Sequence, residues 1–263
     1  MDTILAEQGL RLGYLRNPSR SETFDPCRIL DDVCEDGMAG AMLPWQNGLR
    51  MAESDHLIVA TGTNDGRCFG AIAATDLATE REPFLFIDAA YLAPGVRTTN
   101  LLQRMLAFAM LRVAGSAAVP NVIAACVQTP YYAHELREFG QRFTAASLFP
   151  AGPDAVVIDL GMASLARRIV RVVRPTSRHE ITLRFRLAAA AGSARLPSGN
   201  ATGSNQMDET LLVVDLSMAD DASILEDARK LYRARPKSSA RRGFEAAGHA
   251  SHPARRLPDA SAV

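Results

Sequence analysis

The ten residues Pro83–Leu92, PFLFIDAAYL, constrain the fold more than any other stretch of the chain. They are apolar at nearly every position, so a strand formed here must be covered on both faces. A strand with one wet face would instead alternate apolar and polar residues. Its sequence neighbours say what surrounds it. Upstream, His56–Thr63 and Cys68–Thr75 are two β-like runs joined by Asn64-Asp65-Gly66, residues that tolerate the positive φ of a tight hairpin turn. Downstream, Asn100–Val113 reads as a helix, with Leu101, Leu102, Met105, Leu106, Ala109 and Leu111 spread around much of its circumference. A further strand is expected at Pro120–Val127. A hairpin feeding a buried strand, then a helix and another strand, implies an antiparallel sheet extended by a parallel crossover.

The remaining elements follow from local signals. Gly9–Leu15 reads as a strand. Asp25-Pro26 supplies an N-cap followed by proline at the first helical position, opening a helix through Ile29, Leu30 and Val33. A looser helical stretch spans Met38–Arg50, Tyr131–Phe139 is a helix ended by Gly140, and Ala155–Leu160 is expected as a strand. Beyond Gly161, Leu165–Val173 is a basic amphipathic helix and Glu180–Leu187 a strand. A Gly/Ser-rich loop runs over Gly192–Asn205, and Thr210–Leu216 is a strand. Ser217 begins a helix through Tyr232, with Asp220 at capping-box spacing. The expected organisation is a mixed α/β (α+β) domain over residues 1–160, a central mixed sheet flanked by helices. A small basic α+β extension covers residues 161–235. Residues 236–263 form a disordered tail, too poor in apolar residues to fold alone.

Charge supports that division. The net charge is zero, yet residues 1–160 hold 12 Arg and Lys against 19 Asp and Glu, and residues 161–263 hold 17 against 10. The arginines of the second region (Arg167, Arg168, Arg171, Arg174, Arg241, Arg242, Arg255 and Arg256) have few aromatics between them. They read as a solvated face rather than a nucleic-acid surface. No apolar run approaches the roughly 18 to 20 residues of a membrane span, and the N-terminus lacks a signal pattern, so a cytoplasmic protein is expected. Cys27, Cys34, Cys68 and Cys126 form no C-x-x-C pair and read as reduced, partly buried thiols. No metal is expected, since neither they nor the five histidines make a ligand set. Walker loops, G-x-S-x-G elbows and H-E-x-x-H are absent from the sequence.

Two segments carry chemistry. The buried strand runs into Leu92-Ala93-Pro94-Gly95-Val96-Arg97-Thr98-Thr99-Asn100-Leu101-Leu102, followed by the Met105/Leu106 pair. This resembles the V-x-P-x-x-[RQ]-x-x-G-x-[GA] segment of the GNAT acyltransferases, with Pro94, Arg97 and the apolar pair in register. The order of elements in residues 1–160 is also that of the family. The resemblance implies that Leu92, Arg97, Thr98, Thr99, Asn100, Leu101 and Leu102 form the cofactor loop, where free N–H groups at a helix N-terminus hold the coenzyme A pyrophosphate. Two positions depart from the pattern. Asn100 replaces the first glycine, and Leu102 replaces Gly or Ala, where a larger side chain is expected to crowd the phosphate pocket. The second segment, Thr129–Gly140, is similar to the family's N-x-x-A-x-x-x-Y-x-x-x-G-F. Thr129 takes the Asn position and Leu136 that of the Tyr often used as general acid. Tyr131, Tyr132 or His134 could replace that Tyr in space.

Asp88 is the anomaly of the buried strand. Burial raises the pKa of a carboxylate and suits it to accept a proton from an ammonium; pairing with an arginine or capping a loop would satisfy it equally well. In the family an acidic residue of this strand often serves as base. The resemblance therefore implies acyl transfer from acyl-CoA, acetyl-CoA above all, to a primary amine of a small molecule or peptide. Asp88, Tyr131 and Tyr132 are the candidate catalytic residues. A homodimer is compatible with this reading. Two rivals stand beside it. One is a GNAT-fold binding or regulatory module without catalysis, which the changes at Leu102 and Leu136 favour. The other is nucleic-acid or acidic-partner binding by the basic region.

Overall fold

A computed structural model describes residues 9–21, 24–33, 44–97, 99–116, 118–127, 129–150, 159–173 and 210–234. The chain builds β1 (Leu10–Arg16), α1 (Pro26–Val33), α2 (Pro44–Glu53), β2 (His56–Gly62), β3 (Cys68–Ala78) and β4 (Pro83–Leu92). It continues with α3 (Leu101–Ala114), β5 (Val122–Val127), α4 (Pro130–Gly140), β6 (Ser147–Phe149), α5 (Leu160–Val173), β7 (Thr210–Asp215) and α6 (Asp221–Arg233). The seven strands form one sheet in the order β1-β2-β3-β4-β5-β7-β6. All neighbours are antiparallel except β4 and β5. The result is the mixed α/β class, with a mixed sheet between helices, that the element order implies.

Local signals set the turn and the helix starts. Gly66, at φ 66°, turns the β2–β3 hairpin. Asp25 Oδ1 accepts the N–H groups of Cys27 and Arg28 and so caps α1. Thr129 Oγ1 accepts from Tyr132 N–H at the start of α4. For α6 the cap is Asp220, which accepts from Ser223 N–H, and not Ser217. A carboxylate at Asp220 places its oxygen one turn nearer the helix that forms. Of the looser helix expected at Met38–Arg50, residues 44–50 belong to α2, and residues 38–43 lie outside the described residues.

β4 is central and covered on both faces, as its composition requires. On one face Leu85, Ile87 and Leu92 join Ile58, Ile72 and the buried side of α3. On the other, Phe84 and Phe86 pack with Val122, Ala124, Leu211, Val213 and the α5 residues Met162, Leu165 and Ile169. Tyr91 and Ala89 lie farther along that second face, with Leu30, Val33 and Met51 of α1 and α2. Each such Leu, Ile or Met contributes on the order of 1.5 to 3 kcal/mol by leaving water.

The boundary expected at residue 160 does not hold. β7, from the expected extension, lies inside the sheet between β5 and β6. α6 then packs on α3, with Phe108 stacked on Tyr232 at 5.5 Å and Arg104 Nε donating to the Tyr232 carbonyl at 3.2 Å. The physical reason is the apolar circumference of α3. Residues 101–110 are all buried, which needs a second cover besides the sheet, and α6 supplies it. α5 likewise seals the main sheet. Gly140 lets the end of α4 approach Leu148 and Val214, where a Cβ would collide with both. β6 was not expected. Leu160 opens α5 instead of ending a strand, Asp159 Oδ1 accepts from the Gly161 and Met162 N–H groups at that helix start, and residues 155–158 fall outside the described residues. So do the strand at Glu180–Leu187, the Gly/Ser-rich loop and the tail. Among the described residues no helix is long and apolar enough to cross a membrane.

Candidate active site

The site begins with a break in the sheet. β4 and β5 pair in parallel only over Leu85–Ile87 and Ile123–Ala125. Past Ile87 the register of β4 against β3 shifts, from Ala74↔Ile87 to Ala73↔Ala89, so Asp88 is the extra residue of a β-bulge. β4 stays on β3 as far as Leu92, while Cys126 and Val127 of β5 pair with β7. From Asp88 onward the β5-facing edge of β4 is therefore outside the β4–β5 ladder. α3 follows the end of β4 and α4 follows the end of β5, so both helix N-termini begin at this opening. Carboxyl ends of parallel strands, with helix dipoles directed at them, are favourable places for an anionic ligand.

Asp88 is half-buried between the two apolar clusters of its face. Thr75 Oγ1 donates to its Oδ2 at 2.6 Å. Burial pushes its pKa up to about 6, against the Thr75 hydrogen bond and the Arg50 charge, which lower it, and with the help of Asp55. A carboxyl group so placed changes charge near neutral pH.

The expected cofactor loop divides. A 3₁₀ turn at Pro94–Val96 links β4 to α3, and Arg97 Nε donates back to the Leu92 carbonyl at 3.3 Å. Thr99 is buried; its N–H and its hydroxyl both go to the Val96 carbonyl, and its Oγ1 accepts from Leu101 N–H. The N–H groups of Thr99 and Leu101 are thus engaged within the loop. Those of Leu102 and Gln103 have no acceptor inside the helix, as in the first turn of any helix. Leu101 and Leu102 are packed in the main core, Leu102 at 3 % exposure, and Asn100 precedes the helix at φ −84°. Thr98 lies outside the described residues.

The first turn of α4 brings aromatic residues to the same end. Tyr131 and Tyr132 meet edge to face at 5.2 Å. The Tyr131 hydroxyl is buried and finds no hydrogen-bond partner among the described residues. Burial pushes its pKa well up, Glu135 and Tyr132 add to the rise, and Arg97 lies close enough to oppose it. Glu135 is itself buried and accepts from Gln103 Nε2 at 3.1 Å, tying α4 to α3. Leu136 is in the core and His134 is exposed. Asp88 and Tyr131 thus belong to different sides. Asp88 stands on the face covered by α1, α2 and α5, and Tyr131 packs on the face covered by α3, with the strand opening between.

A polar cluster with no signature in the sequence joins β1, β2 and β3. His56, 1 % exposed, has Tyr14 Oη on Nδ1 at 2.8 Å and Asp76 Oδ2 on Nε2 at 2.9 Å. The three residues are too far apart in sequence to form a motif. Of the cysteines, Cys27 is exposed rather than partly buried, Cys126 is half-buried, and Cys68 is buried with its thiol pushed up to about 12 by desolvation; Cys34 lies outside the described residues. Among the described residues no group of three or more His, Cys, Asp or Glu is placed to hold a metal ion.

No family model and no curated protein matches the sequence. Among solved structures the chain is similar to a diaminobutyrate acetyltransferase from Paenibacillus lautus, determined with L-2,4-diaminobutyric acid and coenzyme A. The two share 16% identity over 81% of this chain and 99% of the other, at a TM-score of 0.43. A likeness this loose transfers neither residues nor activity.

Proposed function

We propose that the chain is an acyl-CoA-dependent N-acyltransferase of the GNAT type, acting on a primary amine of a small molecule or peptide. The observation that carries this reading is the parting of β4 from β5 at the Asp88 bulge, with two helix N-termini at the opening. The resemblance of Leu92–Leu102 to the family's coenzyme segment supports it.

In this reading the pyrophosphate of the coenzyme rests on the N–H groups of Leu102 and Gln103, with Arg97 beside it, and the acyl-thioester arm enters between the strands. Backbone N–H groups of β4 past the bulge polarise the thioester carbonyl. The acceptor approaches from the opposite face as an ammonium and gives its proton to Asp88. With its pKa raised to about 6, the carboxylate is a better match to an ammonium than an ordinary aspartate. The amine nitrogen attacks the carbonyl carbon, the C–S bond breaks as the tetrahedral adduct collapses, and coenzyme A leaves as a thiolate. Tyr131, whose phenol stays protonated, is placed on the coenzyme side to donate its proton to that sulfur. Nitrogen loses its second proton to solvent, which leaves a neutral amide; solvent then returns a proton to the Tyr131 phenolate and takes one from Asp88.

The burial of Leu136 in the place of the family's Tyr favours one second reading, a fold that keeps the coenzyme but not the chemistry. Release of free coenzyme A thiol from acetyl-CoA, followed across a panel of primary amines, separates the two. The catalytic reading expects amine-dependent release that Asp88→Asn abolishes. Release from no amine, in a protein that binds acetyl-CoA, would leave the binding module.

A further inference from the structure

The bulge leaves Asp88 with two unlike oxygens. Oδ2 accepts a short hydrogen bond from Thr75 Oγ1, at 2.6 Å, and among the described residues no other side chain bonds to this carboxylate. Thr75 lies on β3 opposite Phe86, so its side chain rises on the same face as Phe86, the face over which the acceptor is argued to arrive. A carboxylate on a bulge is freed from the strict alternation of a regular strand and needs something to fix its rotation. Thr75 is well suited, because its β-branched side chain has few rotamers on a strand. The two other charged groups that act on the carboxylate are of opposite sign, Arg50 at the end of α2 and Asp55 ahead of β2.

We propose that Thr75 is a positioning residue for Asp88, holding Oδ2 so that Oδ1 alone is presented to the acceptor amine. The proposal rests on the reading of Asp88 as base. It has two consequences that a purely structural threonine would not produce. The hydroxyl donates to the ionised carboxylate and favours it, so its loss raises the pH at which Asp88 ionises. Loss also lets the carboxylate rotate, which lowers kcat while leaving the KM for acetyl-CoA in place.

The test compares wild type, Thr75→Val and Thr75→Ser. The Asp88 carboxyl carbon is titrated by carbon-13 NMR and assigned with Asp88→Asn; acetyl transfer from acetyl-CoA to propane-1,3-diamine is followed against pH. The expected result is an upward shift of the Asp88 titration by about 0.5 to 1 pH unit in Thr75→Val. The acid limb of the rate profile should move with it, and Thr75→Ser should restore both. If Thr75→Val titrates with the wild type, the proposal is overturned, whatever Asp88→Asn does to turnover. If the titration shifts but Asp88→Asn transfers acetyl groups at the wild-type rate, the base assignment fails and the positioning role fails with it.

Discussion

Two polar clusters interrupt the apolar sheet, and they are built differently. The Tyr14–His56–Asp76 cluster is deeply buried at its centre, yet both ring nitrogens of His56 have partners at 2.8 and 2.9 Å. Nε2 faces the Asp76 carboxylate and Nδ1 the Tyr14 hydroxyl. Asp76 reaches water, at 47 % exposure, so its charge stays solvated. Asp88 is less deeply buried, but among the described residues a single side chain, Thr75, bonds to it, on a bulge, where two strands part. Complete satisfaction ties β1, β2 and β3 together and leaves nothing to offer a ligand. Incomplete satisfaction carries a cost in stability that a structural residue would not be expected to keep. The contrast teaches which polar group to follow to the chemistry.

The largest effect expected from this contrast is on turnover. Asp88→Asn should lower acyl transfer by about 10² to 10⁴-fold at neutral pH. Part of the loss should return at higher pH, where the amine loses its proton unaided. The matching change in the satisfied cluster, His56→Ala, should leave the chemistry alone and cost about 3 to 4 kcal/mol in urea unfolding. It opens a buried cavity and removes the group that joins Tyr14 to Asp76. Near-wild-type stability in that variant would erase the distinction between the clusters.

Asp88→Asn should also stabilise the fold. The folded-state pKa of about 6 lies above the unfolded value of about 3.9, so the folded state prefers the protonated carboxyl. Stability from this group is therefore greatest below about pH 4 and falls as pH rises toward 6. The variant lacks this penalty. Its advantage over wild type should open across that window and level off above it, at about 1 to 3 kcal/mol. The smallest effect is expected from Tyr131→Phe. Its hydroxyl has no partner among the described residues, so the variant should keep wild-type stability or gain up to about 1 kcal/mol. Its acyl transfer should nevertheless fall.

Much of this was legible in the sequence because it depends on local signals. The composition of β4, the Asn64-Asp65-Gly66 turn and the cap at Asp25 each describe structure within a few residues of themselves. The anomaly of Asp88 was equally plain, as a carboxylate in an apolar strand. What was hidden depends on distant partners. Nothing in Thr210–Asp215 says that this strand enters the sheet beside β5, some eighty residues earlier in the chain. Only the apolar circumference of α3 hinted at a missing cover. β6 has three residues, too few to show a period. The bulge is a relation between β3 and β4, and the His56 cluster joins three strands, so neither leaves a mark in one stretch of sequence. Leu102 shows the limit of motif reasoning. Its position suggested crowding of a phosphate, whereas its side chain is packed in the core.

Calorimetric titration of the full chain with acetyl-CoA tests the central claim most directly, because the parted strands and the two helix N-termini are read as a coenzyme site. The expected result is saturable one-to-one binding, weakened by Arg97→Ala. Stabilisation of roughly 2.7 kcal/mol is also expected once the ligand stands at about 100 times its Kd. A well-folded protein that gives no binding heat and no thermal shift with acetyl-CoA or longer acyl-CoAs at millimolar concentration would contradict it.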